Sequence, residues 1–267
     1  MHPILVKLGP ITIHTYGFML ALGVLAAIGL SSWLAKRENQ DSRVIFDFIF
    51  YTLLVGLLGA KVFLFVTDFG YYTRSFVNFK SLLFSGGTFF GGLICGGLFA
   101  VWFLKKYKIN YKIIGDIVGP AIALAHFFGR LGCFFAGCCW GREAEGCPIA
   151  VEYHSPHTTT GVPHDIPLYP TQLIESGLNL LNFLFLIVFY SKKKFQGQIL
   201  AIYIFNYSII RFAVEFFRGD DDRGYIFGGM DHPFTSLSVP QLISIIGVIL
   251  AIILYIRFKK SAARQTS

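Results

Sequence analysis

The chain has 267 residues, of which 54% are hydrophobic, 17% aromatic and only 14% charged, and its mean hydropathy is +0.60. This composition excludes an ordinary soluble domain and indicates an integral membrane protein. The formal net charge of +8 comes from basic residues dispersed over short connections. We interpret it as a membrane-topology signal that also favours contact with membrane lipids, and we expect no nucleic-acid binding.

Apolar runs long enough to cross a bilayer recur about seven times, since each spanning helix needs roughly 20 apolar residues. The predicted spans are approximately Ile11 to Ala35, Val44 to Val66, Leu83 to Leu104, Ile113 to Phe128, Gln172 to Tyr190, Gly197 to Phe217 and Val239 to Phe258. The fourth run is short, so we expect a broken helix at its C-terminal end. The first run is too long for a cleavable signal peptide and is expected to remain as a helix.

Alternate connections between these runs are rich in lysine and arginine and are expected to face the cytoplasm. The predicted fold class is therefore all-α, a polytopic membrane protein of about seven transmembrane helices. Its N-terminus would lie outside, its C-terminus in the cytoplasm, and its outer-face loops would be enlarged. We expect residues 1–267 to form a single domain, with the outer-face segment 130–170 inserted between the fourth and fifth spans.

Several ionisable residues lie within or beside the apolar runs, where a charge is costly and commonly serves function. Arg211, Glu215 and Arg218 in "SIIRFAVEFFRGDDD" are spaced by four and three, so on a helix the Glu215 carboxylate can pair with either arginine. This set is either a structural ion network with snorkelling arginines or a clamp for an anionic lipid head group, to which Arg130 adds another guanidinium. The remaining ionisable residues of this kind are Lys61, Asp116, His126 and Glu175.

The glycine pairs in "FSGGTFFGGLICGG" include Gly91 and Gly92. They indicate either a loosely wound helix that a ligand approaches closely or tight packing against another helix. His126 lies one helical turn before Arg130. It is either a packing histidine or a base beside a phosphate site.

Four cysteines lie in or near the stretch "GRLGCFFAGCCWGR", which ends the fourth apolar run; they are Cys133, Cys138, Cys139 and Cys147. A disulfide or simple packing at a helix end is favoured, because the spacing matches no CxxC pair of a zinc site. A zinc site completed by His126 is the less favoured alternative. We expect no metal and no cofactor.

The motifs "GRLGxFxxGxxWGR", "PTQLxE" and "RxxxExxR", in this order, resemble those of the prolipoprotein diacylglyceryl transferase family, here in a divergent, cysteine-rich branch. The resemblance extends over nearly the whole chain. It implies a multi-pass enzyme of the bacterial cytoplasmic (inner) membrane with its active site toward the outer leaflet. Such an enzyme transfers the diacylglyceryl group of phosphatidylglycerol to the lipobox cysteine thiol of a prolipoprotein, forming a thioether and releasing glycerol phosphate. This reaction is the first step of lipoprotein maturation, and we expect a monomer that binds these two substrates.

The resemblance also implies roles for individual residues. Arg130 would bind the phosphatidylglycerol head group, and Arg211 would stabilise the phosphate leaving group. Tyr16 in "HTYGF" would form a polar wall, and Glu215 would orient the arginines. The supporting lipid-binding residues would be Arg218, Cys133, Gly91, Gly92, Gln172 and Glu175, with Arg142 fixing the loop.

Three positions depart from the family pattern. Phe90 replaces a histidine proposed as the catalytic base, Cys133 replaces an asparagine, and Tyr169 replaces a histidine before "PTQ". His126 is the nearest substitute base. Alternatively, no strong base is needed, because a thiol of pKa about 8.5 beside several arginines is already partly ionised.

Three other functions remain open at this point. Phe90 favours a paralogue that binds anionic phospholipid and acts on another acceptor. The cysteines allow a membrane thiol oxidoreductase. A secondary transporter is less favoured, because the two halves of the sequence show no clear repeat.

Overall fold

The structure is a computed structural model that describes residues 2–9, 11–84, 87–154, 161–220, 223–229 and 234–266. It divides into two compact units. The larger unit, formed by Met1–Leu30 and Gly115–Ser267, is called the main unit below, and the smaller unit is Ser31–Ile114. Each unit is described by itself.

The described residues are mostly helical. The helices are α1 Thr15–Arg37, α2 Ser42–Thr67, α3 Phe69–Tyr72, α4 Phe76–Phe84, α5 Phe89–Lys106, α6 Tyr111–Ala136, α7 Thr171–Tyr190, α8 Gln198–Glu215 and α9 Val239–Thr266. Four short strands form two antiparallel hairpins. In the first, β1 Ile4–Leu8 pairs with β2 Ile11–His14, and in the second, β3 Tyr225–Phe227 pairs with β4 Leu237–Ser238.

Each of the seven predicted spans overlaps one long helix. Five of these helices, α1, α2, α6, α7 and α9, are long and apolar enough to cross a membrane. The chain is therefore a multi-pass membrane protein of all-α class, as predicted. The total of seven spans and their orientation remain predictions.

The predicted start of the first span at Ile11 was wrong, because Ile11 belongs to strand β2 and the helix begins at Thr15. The sequence "ILVKLGPITIH" has β-branched residues on both sides of a glycine, and Gly9 has a left-handed φ of 59°. That pattern is typical of a hairpin. A count of apolar residues alone cannot distinguish such a strand from the first turns of a helix.

The third and fourth spans also differ from the prediction. The third begins at Phe89 and not at Leu83, because residues up to Phe84 belong to the separate helix α4. The expected break at the end of the fourth span was wrong, since α6 continues without interruption through Arg130 to Ala136. Polar residues ended the apolar run there, but they did not end the helix.

The glycines of α5 in the smaller unit lie against α2. A Cβ atom at Gly59 would come within 2.9 Å of the Gly91 carbonyl oxygen, and one at Gly92 within 3.2 Å of the Gly56 carbonyl oxygen. The absence of side chains therefore lets the two helix backbones meet closely. The packing alternative accounts for Gly91 and Gly92, and their contact with lipid remains a prediction.

Asp116 of α6 caps the N-terminus of α8 in the main unit. Its fully buried carboxylate accepts hydrogen bonds from the backbone N–H groups of Gly197, Ile199 and Leu200 at 2.8, 2.9 and 3.1 Å. Lys193 Nζ lies 3.2 Å from the same carboxylate. These N–H groups have no partner within their own helix, so Asp116 has a structural role at this end of the unit.

We predict that Asp116→Ala lowers the stability of the protein by about 3 kcal/mol or more, because it leaves several buried donors without an acceptor. Thermal unfolding in detergent would show this as a lower Tm. Asp47→Ala, at an exposed position of α2, is the matched control and should leave the Tm unchanged. Equal Tm values for the two variants would contradict the capping role.

Candidate active site

Polar side chains of α6, α7 and α8 converge in the main unit. On each helix they recur at spacings of three or four, so they lie along one face. The set comprises His126, Arg130 and Cys133 on α6, Gln172, Glu175 and Asn179 on α7, and Tyr203, Tyr207, Arg211 and Glu215 on α8.

Arg130 is held by Glu175 across the α6–α7 interface. Arg130 Nη2 lies 3.0 Å from Glu175 Oε1, and the Glu175 side chain is only 1% exposed. The side chain of Tyr207 interacts with the same guanidinium. Since a buried carboxylate needs a counter-charge, this pair fixes the Arg130 guanidinium at the site.

Glu215 holds two arginines at the end of α8. Its carboxylate lies 2.8 Å from Arg211 Nη2 and 2.5 Å from Arg223 Nη1. Ser238 Oγ donates a further hydrogen bond to it at 2.9 Å. The Arg211–Glu215 pair agrees with the spacing in the sequence, whereas the role of Arg223 was missed. In the sequence, this role could have been indicated only by the position of Arg223 directly after "RGDDD".

Arg218 does not pair with Glu215, contrary to the pairing that the helical spacing allowed. Its Nε atom donates to Asp220 Oδ1 at 2.7 Å, and its Nη2 atom contacts Asp220 Oδ2. The reason is local: α8 ends at Glu215, so Arg218 lies beyond the helix and leaves that face. Arg223 Nε lies 3.4 Å from Asp220 Oδ1 and links the two ion pairs.

A Schellman motif brings the cysteines together at the end of α6. Gly137 has a left-handed φ of 74°, its N–H donates to the Phe134 carbonyl at 3.2 Å, and the Cys138 N–H donates to the Cys133 carbonyl at 3.1 Å. This turn folds the chain back on the last helical turn. As a result, the Sγ atoms of Cys133, Cys138 and Cys139 all lie within 4.8 Å of one another. We call these three residues the thiol cluster.

The N-terminal turn of α7 fixes the backbone of the thiol cluster. Gln172 Nε2 donates to the Cys138 carbonyl at 2.8 Å and to the Tyr153 hydroxyl at 2.9 Å. Thr171 Oγ1 donates to the Cys139 carbonyl at 2.9 Å. Burial raises the pKa of Tyr153 to about 12, so its phenol stays neutral. The predicted site residue Gln172 therefore supports the loop that carries the cysteines.

The thiols of the cluster interact with one another and with arginines. Hydrogen bonds from the Cys133 and Cys138 thiols lower the pKa of Cys139, and the charges of Arg218 and Arg130 lower it further. The pKa of Cys138 is raised, first by its hydrogen bonds with Cys133 and Cys139. None of the five cysteines forms a disulfide in the structure, so of the two favoured alternatives it shows packing at the helix end.

Tyr16 lies at the same end of the main unit as the cluster. A Cβ atom at Gly132 would come within 3.1 Å of Tyr16 Cδ2 and 3.3 Å of Met19 Cβ, so α1 packs closely on α6 there. The phenol of Tyr16 interacts electrostatically with Cys133 and with Arg130. Its position suits the predicted role as a polar wall.

The stretch Gly137 to Arg142, called the signature loop below, is clamped by the segment that follows α8. The Arg142 N–H donates to the Phe217 carbonyl at 2.8 Å, and the Gly219 N–H donates to the Trp140 carbonyl at 3.0 Å. Arg142 Nε also donates to the Arg218 carbonyl at 3.0 Å. These bonds hold the thiol cluster beside the ion pairs of Arg218.

His126 lies on α6 one turn before Arg130. Its imidazole stacks on Tyr207 at a centroid distance of 4.7 Å, and its Nδ1 atom lies 3.4 Å from the Tyr203 hydroxyl. The histidine thus contacts α8, and Tyr207 interacts with both the imidazole and the Arg130 guanidinium. The structure places the predicted site residues Gly91 and Gly92 in the smaller unit, as it does Phe90.

The site can hold an anion. Among the residues that the structure describes, five arginines surround it and three carboxylates contact them, which leaves two positive charges in excess. The arginines are Arg130, Arg142, Arg211, Arg218 and Arg223, and the carboxylates are Glu175, Glu215 and Asp220. Arg211 Nη1 is buried and has no hydrogen-bond partner within the described part of the chain. Such a donor is suited to an oxyanion, above all to a phosphate.

The chain is similar in sequence to proteins of one known family. The family model described as prolipoprotein diacylglyceryl transferase matches residues 3–257. The chain is 33% identical over 267 residues to the phosphatidylglycerol–prolipoprotein diacylglyceryl transferase of Clostridium tetani, covering 97% of this chain and 100% of the relative. It is 32% identical to the second such transferase of Clostridium perfringens, covering 100% and 99%. With the enzyme of Legionella pneumophila (strain Lens) the identity is 34%, covering 91% and 94%.

The long apolar helices and the extent of these matches define the class of protein, a multi-pass membrane protein. The chain belongs to the prolipoprotein diacylglyceryl transferase family.

We predict that Gly141→Ala destabilises the signature loop. A Cβ atom there would lie 2.3 Å from the Tyr169 carbonyl oxygen, which is backbone and cannot move freely. We expect the Tm in detergent to fall by several degrees, because a fixed clash typically costs a few kcal/mol.

Gly129→Ala is the matched control in the same sequence motif. Its Cβ atom would meet nothing within 4 Å, and alanine is the better helix former, so the Tm should be unchanged or higher. A normal Tm for Gly141→Ala would contradict the close contact between the signature loop and Tyr169.

Proposed function

We propose that the protein transfers the diacylglyceryl group of phosphatidylglycerol to the cysteine thiol of a prolipoprotein lipobox. Family membership supports this function, because the relatives named above carry this activity in their names. The observation that carries it is the excess of guanidinium groups among the described residues, where Arg211 Nη1 is buried and has no hydrogen-bond partner. A lipid phosphate supplies the missing negative charge.

The reaction is a displacement at a glycerol carbon of the lipid. The cysteine sulfur forms a bond to that carbon, the bond from the carbon to the phosphate oxygen breaks, and glycerol phosphate leaves with the electron pair. The barrier falls if positive charge is already oriented where the negative charge develops. Arg211 is placed for this role by Glu215, and Arg130 by Glu175.

The remaining predicted residues take supporting roles in this proposal. Tyr16 borders the site, Gln172 holds the signature loop, and Arg218 adds positive charge near Cys139. The protein would act as a monomer in the bacterial cytoplasmic membrane with its site toward the outer leaflet. The excess of basic residues on alternate connections supports that orientation.

The proton of the incoming thiol has two possible destinations. His126 could accept it, or the thiol could ionise to solvent because the arginines lower its pKa. The contacts of His126 favour the second route, since they are formed with the Tyr203 hydroxyl and the Tyr207 ring on α8. We therefore propose that His126 positions Tyr207 beside Arg130.

The transfer reaction is tested with purified protein, phosphatidylglycerol and a synthetic lipobox peptide. We predict release of glycerol phosphate and a peptide mass gain equal to one diacylglyceryl group. Arg130→Ala and Arg211→Ala should each lower the rate by about 100-fold or more, because each removes charge stabilisation from the leaving phosphate. Arg264→Ala, in an exposed turn of α9, is the matched control and should keep the wild-type rate.

The outcome also separates the rival functions. Lipid binding without either product would favour the paralogue that acts on another acceptor. Equal rates for Arg211→Ala and Arg264→Ala would contradict the phosphate role of Arg211.

We predict that His126→Phe keeps the transfer rate within about tenfold of the wild type, because a phenyl ring preserves the stack on Tyr207. A general base normally contributes 100-fold or more. A loss of about 100-fold or more at an unchanged Tm would therefore identify His126 as the base. Both the rate and the Tm are measured on the same preparation.

A further inference from the structure

The thiol cluster has the dimensions of a metal site. Zinc binds cysteine sulfur at about 2.3 Å in tetrahedral geometry, which places two sulfurs on one metal about 3.8 Å apart. The three Sγ atoms already lie within 4.8 Å of one another. Side-chain rotations that move the sulfur atoms by about 1 Å would bring all three within bonding distance of a single ion. The site requires no fourth protein ligand, and it does not use His126.

The surroundings of the cluster are also those of a built site. Its backbone is fixed on two sides, by the Schellman turn after α6 and by the bonds from Thr171 and Gln172. Outer contacts of this kind orient metal ligands in proteins. Three thiolates and one Zn²⁺ carry a net charge of minus one. Arg130 and Arg218 interact electrostatically with Cys139 and balance that charge.

We propose that Cys133, Cys138 and Cys139 bind one Zn²⁺, whose open fourth position takes the lipobox cysteine thiol of the prolipoprotein. The proposed acceptor rests on the transferase function given above, whereas the metal site itself rests on the cluster geometry. Thiolate ligands select soft or borderline metals, and zinc among these has no redox chemistry and favours four ligands. Three protein ligands with one open position is the arrangement of a catalytic zinc site.

Binding to Zn²⁺ explains how the acceptor thiol is activated. When the substrate thiol binds Zn²⁺, its proton leaves to solvent and the sulfur is held as a thiolate. That sulfur then forms a bond to the glycerol carbon of phosphatidylglycerol. The bond from the carbon to the phosphate oxygen breaks, and the electron pair leaves with glycerol phosphate. The thioether product binds zinc more weakly than the thiolate does, so the lipidated peptide is released. No oxidant, reductant or histidine base is required.

Metal binding is tested first, without lipid or peptide. The full-length protein is purified in detergent and loaded with Zn²⁺, and its metal content is measured by mass spectrometry. We expect one zinc per chain. Cys138→Ser and Cys139→Ser should each weaken zinc binding by about tenfold or more. Cys147→Ser, in the same outer segment but outside the cluster, is the matched control and should bind zinc normally.

The open position is tested by replacing Zn²⁺ with Co²⁺ in the wild-type protein, which avoids any question of variant folding. The charge-transfer absorption of Co²⁺ should match three thiolates and rise by about one third on adding a lipobox peptide. The same peptide with serine in place of cysteine should produce no rise. Removal of the metal with a chelator should lower the transfer rate by about tenfold or more, and Zn²⁺ should restore it.

The outcomes separate this inference from the proposed function. An active enzyme that contains no metal and whose five thiols all react with an alkylating reagent would overturn the zinc site. A disulfide within the cluster of the active enzyme would also overturn it. Zinc bound as described, with no transfer from phosphatidylglycerol to any lipobox peptide, would overturn the proposed function and leave the metal site in place.

Discussion

The pairing of buried carboxylates with arginines is the interaction on which the rest of the site depends. Glu175 and Glu215 are almost fully buried, and each would be strongly destabilising without a cation beside it. Glu175 ties α7 to Arg130 on α6, and Glu215 ties α8 to the segment that carries Arg223. The same pairs that stabilise the helix interfaces therefore orient the guanidinium groups. Because the arginines outnumber the carboxylates among the described residues, the arrangement has a place for one more anion.

Backbone contacts provide the second level of organisation. Gly137 reverses the chain at the end of α6, and Gly141 allows the signature loop to lie directly against Tyr169. These two glycines bring cysteines that are separated along the sequence into one cluster next to the arginines. In our proposals, one half of the site binds the lipid phosphate, while the other holds the zinc ion that takes the acceptor thiol. A displacement reaction needs both halves close together, because the incoming sulfur and the leaving phosphate share one carbon atom.

Much of this organisation could be predicted from the sequence. Apolar runs predicted the long helices, and the spacing of Arg211 and Glu215 predicted their ion pair. The partner of Arg218 could not be predicted, because the spacing rule holds only while the helix continues and α8 ends at Glu215. The cysteines converge at a turn whose geometry follows from Gly137. Contacts from α7 hold that turn, and these could not be predicted from the sequence. Asp116 was a candidate functional residue by its position in a span, and only the fold shows that it caps α8.

We propose that Arg130 and Arg211 bind the same lipid phosphate. A double-mutant cycle on phosphatidylglycerol affinity, with Arg130→Gln, Arg211→Gln and the double variant in detergent, tests it most directly. Two groups that share one phosphate should give clearly non-additive losses, with a coupling energy of about 0.5 to 3 kcal/mol. We predict that each single variant binds the lipid more weakly and that the double variant loses less than the sum of the two. Strictly additive losses, or an affinity that neither substitution changes, would contradict a shared phosphate site.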